Sequence, residues 1–180
     1  MNELISITQN LLAVVFLMSS LGKITNFTQH TQIIKAYRIV PNLFLVPSLI
    51  VFSLSELTIS LTIFTFGITI YHTYGIVLLL CLYTLAIAFN LFRGHQDISC
   101  GCGGILEHER LNWGLVYRNV LLITIVIIIG IICENMVIKA DVISKFALFL
   151  ISISLYLTIY IYKKINIIRS KINLLLELLS

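Results

Sequence analysis

Apolar and polar positions divide the chain into five long apolar runs separated by polar punctuation. The first covers 4–22 and is closed by Lys23; the second covers 43–67 and carries a single charge, Glu56. The third covers 73–92 and is closed by Arg93; the fourth covers 114–133 with Arg118 near its start; the fifth covers 146–162 and is closed by Lys163 and Lys164. Each approaches the about 20 residues with which an α-helix crosses a hydrocarbon layer about 30 Å thick. A stretch such as ITIVIIIGII at 123–132 is apolar on both parities, whereas a lipid-facing barrel strand alternates. Helices also satisfy every backbone group internally, which the bilayer demands. The pattern predicts an all-α fold: a polytopic membrane helix bundle with about five transmembrane helices.

The connections add detail. Residues 25–42 place Phe27, Ile33, Ile34, Tyr37, Ile39 and Val40 among polar neighbours, which predicts a short amphipathic helix at the membrane interface. Residues 94–113 hold four of the nine glycines, two of the four cysteines and two of the four histidines. Residues 164–180 read as an amphipathic C-terminal tail, helical and interfacial. Pro47 is expected to kink the entry to the second span. Only Glu3 carries charge ahead of the first run and no small-x-small cleavage site follows it, so a retained helix is expected rather than a signal peptide.

Composition takes the chain out of water. Apolar residues make up 59% and charged residues 11%, against about 45–50% and about 25% in soluble domains. A soluble enzyme, a disulfide knot and a nucleic-acid-binding module are all poor fits. The net charge of +4 is read as headgroup anchoring and orientation. Ten of the twelve Lys and Arg fall on the side shared by the first loop, the third loop and the tail; only Lys139 and Lys145 fall on the other. That bias predicts an outside N-terminus and a cytoplasmic Cys-bearing loop.

Cys100-Gly101-Cys102 is the sharpest chemical feature. Two thiols one residue apart can close a small ring, Gly101 supplies the backbone freedom for such a turn, and Gly103 and Gly104 extend it. A disulfide of this kind is labile and suits exchange. His95, His108 and Arg110 stand near enough in sequence to favour a thiolate. Two other readings stay open. His95, Cys100, Cys102 and His108 could together ligate zinc or copper, although their spacing matches no usual zinc framework; or the loop is a glycine-rich turn with incidental thiols. Cys81 and Cys133 read as small apolar side chains within spans, and His30 and His72 as surface histidines.

Glu56 is costly in mid-span, about 2.5–3.5 kcal/mol if charged and central. It should face the bundle interior, with Asn10, Asn90 and Arg118 as candidate partners, either for an interhelical hydrogen bond or for proton or quinone handling. Trp113 reads as an interfacial anchor. No phosphate loop, zinc-protease motif or nucleophile elbow is present, and no cofactor is expected.

Several segments in order carry a family resemblance: LGKITNFTQHTQIIKAYRIVP at 21–41, VPSLIVFSLSEL at 46–57, FNLFRGHQDISCGCGG at 89–104 and YRNVLL at 117–122. The chain resembles the MauE family of the MauE/DoxX-like membrane proteins over roughly residues 15–135. The resemblance implies a MauE-like membrane domain at 1–163 in the bacterial inner membrane, active in methylamine utilisation. It implies a role in maturing an exported redox protein, the small subunit of methylamine dehydrogenase, beside a thioredoxin-like partner of the MauD type. Cys100 and Cys102 would be the redox pair, with Gly101 and Gly104 shaping the loop and Ile105 and Leu106 offering apolar contact to the partner. Glu56, Arg118 and Asn119 match further family positions; Arg93 and Asp97 belong to the basic-Gly exit and the Asp that precede the cysteines. Disulfide handling belongs outside the cytoplasm, opposite to the face that the charge bias gives the loop. A metal-handling protein and a non-catalytic assembly or anchoring subunit are the rival functions.

Overall fold

The computed structural model describes residues 2–101, 110–134 and 142–179. Among the described residues six helices follow one another: α1 (Asn2–Thr25), α2 (Phe27–Tyr37), α3 (Leu45–Phe66), α4 (Ile70–Phe92), α5 (Trp113–Glu134) and α6 (Val142–Leu179), with a 3-10 turn, Asn42–Phe44, leading into α3. Five of them are long and apolar enough to span a bilayer: Ile5–Thr25, Asn42–Phe66, Ile70–Phe92, Trp113–Cys133 and Phe146–Ser170. The chain is an all-α, multi-pass membrane bundle. The large apolar residues left uncovered, among them Phe66, Leu85, Phe92, Val51 and Ile131, face where lipid tails would lie.

Small residues set the packing. α1 and α3 run antiparallel, joined where Ser20 Oγ donates to the Ser53 carbonyl at 2.9 Å and Ser60 Oγ donates to the Ala13 carbonyl at 2.7 Å. The two contacts lie two turns apart on each helix, so they share one register. Lipid gives helices no hydrophobic reason to associate; small side chains that let backbones approach, and hydroxyls that bond across the gap, provide it instead. The α4–α5 contact works likewise: a Cβ added at Gly130 would collide with Thr73 Oγ1. Ile5, Leu12, Phe16, Ile63, Ile76, Leu79 and Val126 fill the core between these pairs.

Helix ends follow local chemistry. Gly67, at φ +78°, stops α3, and Thr69 with His72 forms a capping box that starts α4 three residues later. The turn is so short that α3 and α4 must be antiparallel neighbours. Pro47 sits in the first turn of α3, where its missing N–H would have no helical partner anyway.

α2 is the amphipathic helix anticipated at 25–42, and it buries His30 and Tyr37 against the bundle. His30 is 1% exposed, which corrects its reading as a surface residue: the apolar face of α2 packs on protein, and His30 shares that face with Ile33, Ile34 and Tyr37. The 164–180 tail continues α6 without a break as far as Leu179. At 1.5 Å per residue, a 38-residue helix is about 57 Å long, roughly twice the hydrocarbon thickness.

Candidate functional site

Glu56 lies at mid-height in α3 and is 1% exposed. Three side chains donate to it: Lys23 Nζ at 2.5 Å, Tyr83 Oη at 2.6 Å and Ser19 Oγ at 3.0 Å. Lys23 is 3% exposed, and its ammonium also reaches Ser19 Oγ at 3.0 Å and Tyr83 Oη at 3.3 Å. It stands 5.0 Å from the centre of the Tyr83 ring, whose π-face adds a second attraction. The α1–α3 register puts Lys23 more than a turn beyond the level of Glu56. Helical side chains lean toward the N-terminus, so Lys23 extends back along α1, past Ser19, into the bundle.

This geometry corrects two sequence expectations. Two of the candidate partners of Glu56 bond within their own helices, Asn10 donating to the Ser6 carbonyl and Asn90 to the Ala86 carbonyl, while Arg118 donates to Asn119 Oδ1 at 3.2 Å and lines a cavity together with Glu56. Lys23 is no headgroup anchor closing the first span; it is the counter-ion. The signal was available in the unavoidable need of a mid-span carboxylate for a cation, but Lys23, at the end of a run, read as an orientation signal. Its removal leaves nine basic residues on the favoured side, so the bias persists.

The Cys-bearing loop is held at its base. Leu111 N–H donates to the Ile98 carbonyl at 3.0 Å, and Ser99 and Arg110 form an antiparallel bridge. Cys100, just inside this pinch, is 5% exposed and packs with Tyr37, Ile87, Leu91, Leu111 and Leu115. Tyr37 Oη donates to the Cys100 carbonyl at 2.8 Å, and burial raises the Tyr37 phenol well above its ordinary pKa of 10.0. Cys100 is disulfide-bonded, whereas Cys81 and Cys133 are free thiols. Gly101 has φ +65°, and a Cβ there would come within 2.7 Å of Ile33 Cγ2. Both the backbone conformation and the close passage of α2 therefore require glycine. Cys102, Gly103, Gly104, Ile105, Leu106 and His108 lie outside the described residues.

The remaining candidates separate. Arg93 is exposed and lies over the Phe89 ring at 5.3 Å. Asp97 pairs with Arg110 at 3.8 Å on the open surface. Among the described residues, neither joins the setting of Cys100. His95 is half-buried, and no cluster of three or more His, Cys, Asp or Glu with metal-holding geometry occurs among the described residues; two of the four proposed metal ligands fall outside them. Trp113 meets Phe92 edge-on at 5.1 Å at the shared end of α4 and α5.

Two cavities flank the ion pair. The first, about 220 Å³, is bounded by α2, the start of α3, the end of α4 and the loop; Lys23, Tyr37, Tyr83, Cys100 and Gly101 are on its wall. The second, about 400 Å³, lies between α1, α3, α4, α5 and α6 and is lined by Ser19, Glu56, Tyr83, Arg118, Asn119 and Tyr156 among others. Lys23 thus faces the cavity that Cys100 lines, Glu56 faces the one that Arg118 lines, and Tyr83 borders both. The structure brings Glu56, Arg118 and Asn119 to one cavity, and Cys100 and Gly101 to the other.

The family described as methylamine utilisation protein MauE matches residues 1–132. The chain belongs to the MauE family. The match ends within α5, so α6 lies beyond it. Among curated relatives, a methylamine utilization protein MauE of Paracoccus versutus is 25% identical over 114 residues, covering 63% of this chain and 61% of that protein. Its counterpart from Paracoccus denitrificans is 24% identical over 119 residues, covering 66% of this chain and 64% of that protein. The matched region spans less than two thirds of the length of either relative. No solved structure matches the chain.

Proposed function

We propose that this protein carries out thiol–disulfide exchange, or the electron transfer coupled to it, in the bacterial cytoplasmic membrane, and so supports maturation of an exported redox protein used in methylamine utilisation. Cys100 and Cys102 form and exchange the disulfide. A thiolate of the reduced client or of a thioredoxin-fold partner attacks one sulfur, a mixed disulfide forms, and a second client thiolate releases it. The client leaves with an S–S bond, and the loop keeps two thiols and two electrons. The single observation that carries the reading is the setting of Cys100: disulfide-bonded, on the wall of a cavity, held by Tyr37 through its own carbonyl. A structural staple needs no cavity beside it. Glu56 and Lys23 hold α1 to α3 next to that cavity, with Arg118 and Asn119 behind them, and act as positioning residues.

The test is maturation of the client in cells carrying Cys100→Ser or Cys102→Ser. Either single change is expected to abolish maturation and to leave a mixed disulfide with client or partner, visible on a non-reducing gel and identified by mass spectrometry. Normal maturation with both cysteines replaced would overturn the exchange reading in favour of an assembly or anchoring subunit. A membrane-impermeant thiol reagent applied to intact cells assigns the face of the loop; exchange with an exported client requires labelling from outside.

A further inference from the structure

A protein that takes electrons from client thiols must hand them on, and the cavity beside Cys100 suggests to what. We propose that this cavity binds the ring of a lipid-soluble quinone, which reoxidises the Cys100–Cys102 pair; the proposal rests on the exchange reading above. Three observations converge on it.

Size is the first. The cavity's roughly 220 Å³ exceeds the about 150 Å³ of an apolar protein cavity that accepts benzene, so it accommodates one substituted six-membered ring. Most of its wall is apolar, from Ile33, Leu49, Phe52 and Leu82. The second observation is chemical. Cys100 lines the cavity together with Lys23 and Tyr83, the two residues whose polar ends meet at Glu56. A quinone carbonyl is a hydrogen-bond acceptor that gains negative charge as electrons arrive, and a desolvated cation beside it stabilises that charge. The third is access. A shallow apolar groove of about 470 Å³ runs along the outside of α4 past Leu85, Ala88, Phe89 and Phe92, and it shares Ile39, Leu82 and Ala86 with the cavity. A head group inside and an isoprenoid tail along the groove, toward lipid, match this continuous shape.

The step balances without a further reagent. The S–H bonds of Cys100 and Cys102 are replaced by one S–S bond, and the two electrons and two protons released turn the two ring carbonyls into hydroxyls. One client disulfide made corresponds to one quinol formed.

The experiment uses the full chain in lipid nanodiscs free of quinone. The protein is reduced with dithiothreitol, desalted, and given either decylubiquinone, a short-tailed benzoquinone, or oxidised glutathione as a soluble oxidant. Thiol loss is read by alkylation and mass shift, and quinone reduction by absorbance. The expected result is one quinone reduced per chain with loss of the Cys100 thiol. Leu82→Trp, which blocks the junction of cavity and groove, is expected to lower the ratio of the quinone-driven to the glutathione-driven rate about tenfold. An unchanged ratio would show that the cavity holds an acyl chain or nothing, and would overturn the proposal.

Two further outcomes separate it from the reading beneath. Oxidation by glutathione but not by decylubiquinone defeats the quinone site and leaves exchange intact. Oxidation by neither defeats both. If Leu82→Trp is misfolded, an azido-benzoquinone photolabel on the unaltered protein decides: adducts on the peptides around residues 33–40 and 82–86 uphold the site, and labelling confined to other regions refutes it.

Discussion

Replacing Lys23 with Met removes the full positive charge that donates directly to Glu56 and keeps the Tyr83 and Ser19 hydroxyls as donors. A carboxylate 1% exposed then has no counter-ion among those contacts. Removing one partner of a buried pair costs about 3–5 kcal/mol; the two neutral donors that remain argue for the lower end, about 3 kcal/mol. Glu56→Gln strands the Lys23 ammonium in the same way and should cost a similar amount. The double variant Lys23→Met with Glu56→Gln removes both charges together, and replacing a buried ion pair by neutral groups of similar volume is often close to neutral. We expect it to lie within about 2 kcal/mol of the unaltered protein. Thermal unfolding in mild detergent, followed by far-ultraviolet circular dichroism, reads these differences. About 3 kcal/mol corresponds to a Tm drop of roughly 6–12 °C for a chain of this size, and the double variant should recover most of it. Losses that add across the two sites to within about 0.5 kcal/mol would mean that the groups are uncoupled, and the reading of Lys23 as the counter-ion would be refuted.

Three other outcomes are expected. Tyr37→Phe leaves the buried Cys100 carbonyl without its donor and should cost about 1–3 kcal/mol, read by the same unfolding assay; because the folded phenol has a raised pKa, the advantage of Tyr over Phe is complete below pH 10 and shrinks as pH rises above it, by up to about 1.4 kcal/mol per unit until the folded group also titrates. Gly101→Ala meets both a left-handed backbone and Ile33, so it should destabilise by about 2–4 kcal/mol; adding Ile33→Ala should relieve the steric part while the backbone penalty of about 1–2 kcal/mol stays, and a rescue that is complete or absent would contradict the geometry. Gly130→Leu drives a side chain into Thr73 and should separate α4 from α5, seen as a loss of folded protein on size-exclusion chromatography, whereas Leu at the exposed position Thr124 of α5 should not.

Length and hydropathy alone determined that five helices cross a membrane, because the bilayer imposes a single requirement, about 20 apolar residues with internally satisfied backbone, that can be read in one dimension. The amphipathic helix before the second span was legible for a similar reason: its periodicity is local. Cys100-Gly101-Cys102 was legible as a candidate for chemistry, since neighbouring thiols in a glycine-rich loop need no tertiary context to be noticed. What surrounds them did need it. The pairing of Glu56 with Lys23 depends on the antiparallel register that Ser20, Ser53, Ala13 and Ser60 set, and on a long side chain leaning back along its own helix; neither is visible in the order of residues. His30 was misread because an amphipathic helix shows which face is apolar but not whether protein or lipid covers it. The placing of Cys100 and Lys23 on one cavity wall, with Glu56 turned to another, belongs wholly to the tertiary structure. A cavity is what packing leaves unfilled between helices distant in sequence, and no local pattern encodes the space between them.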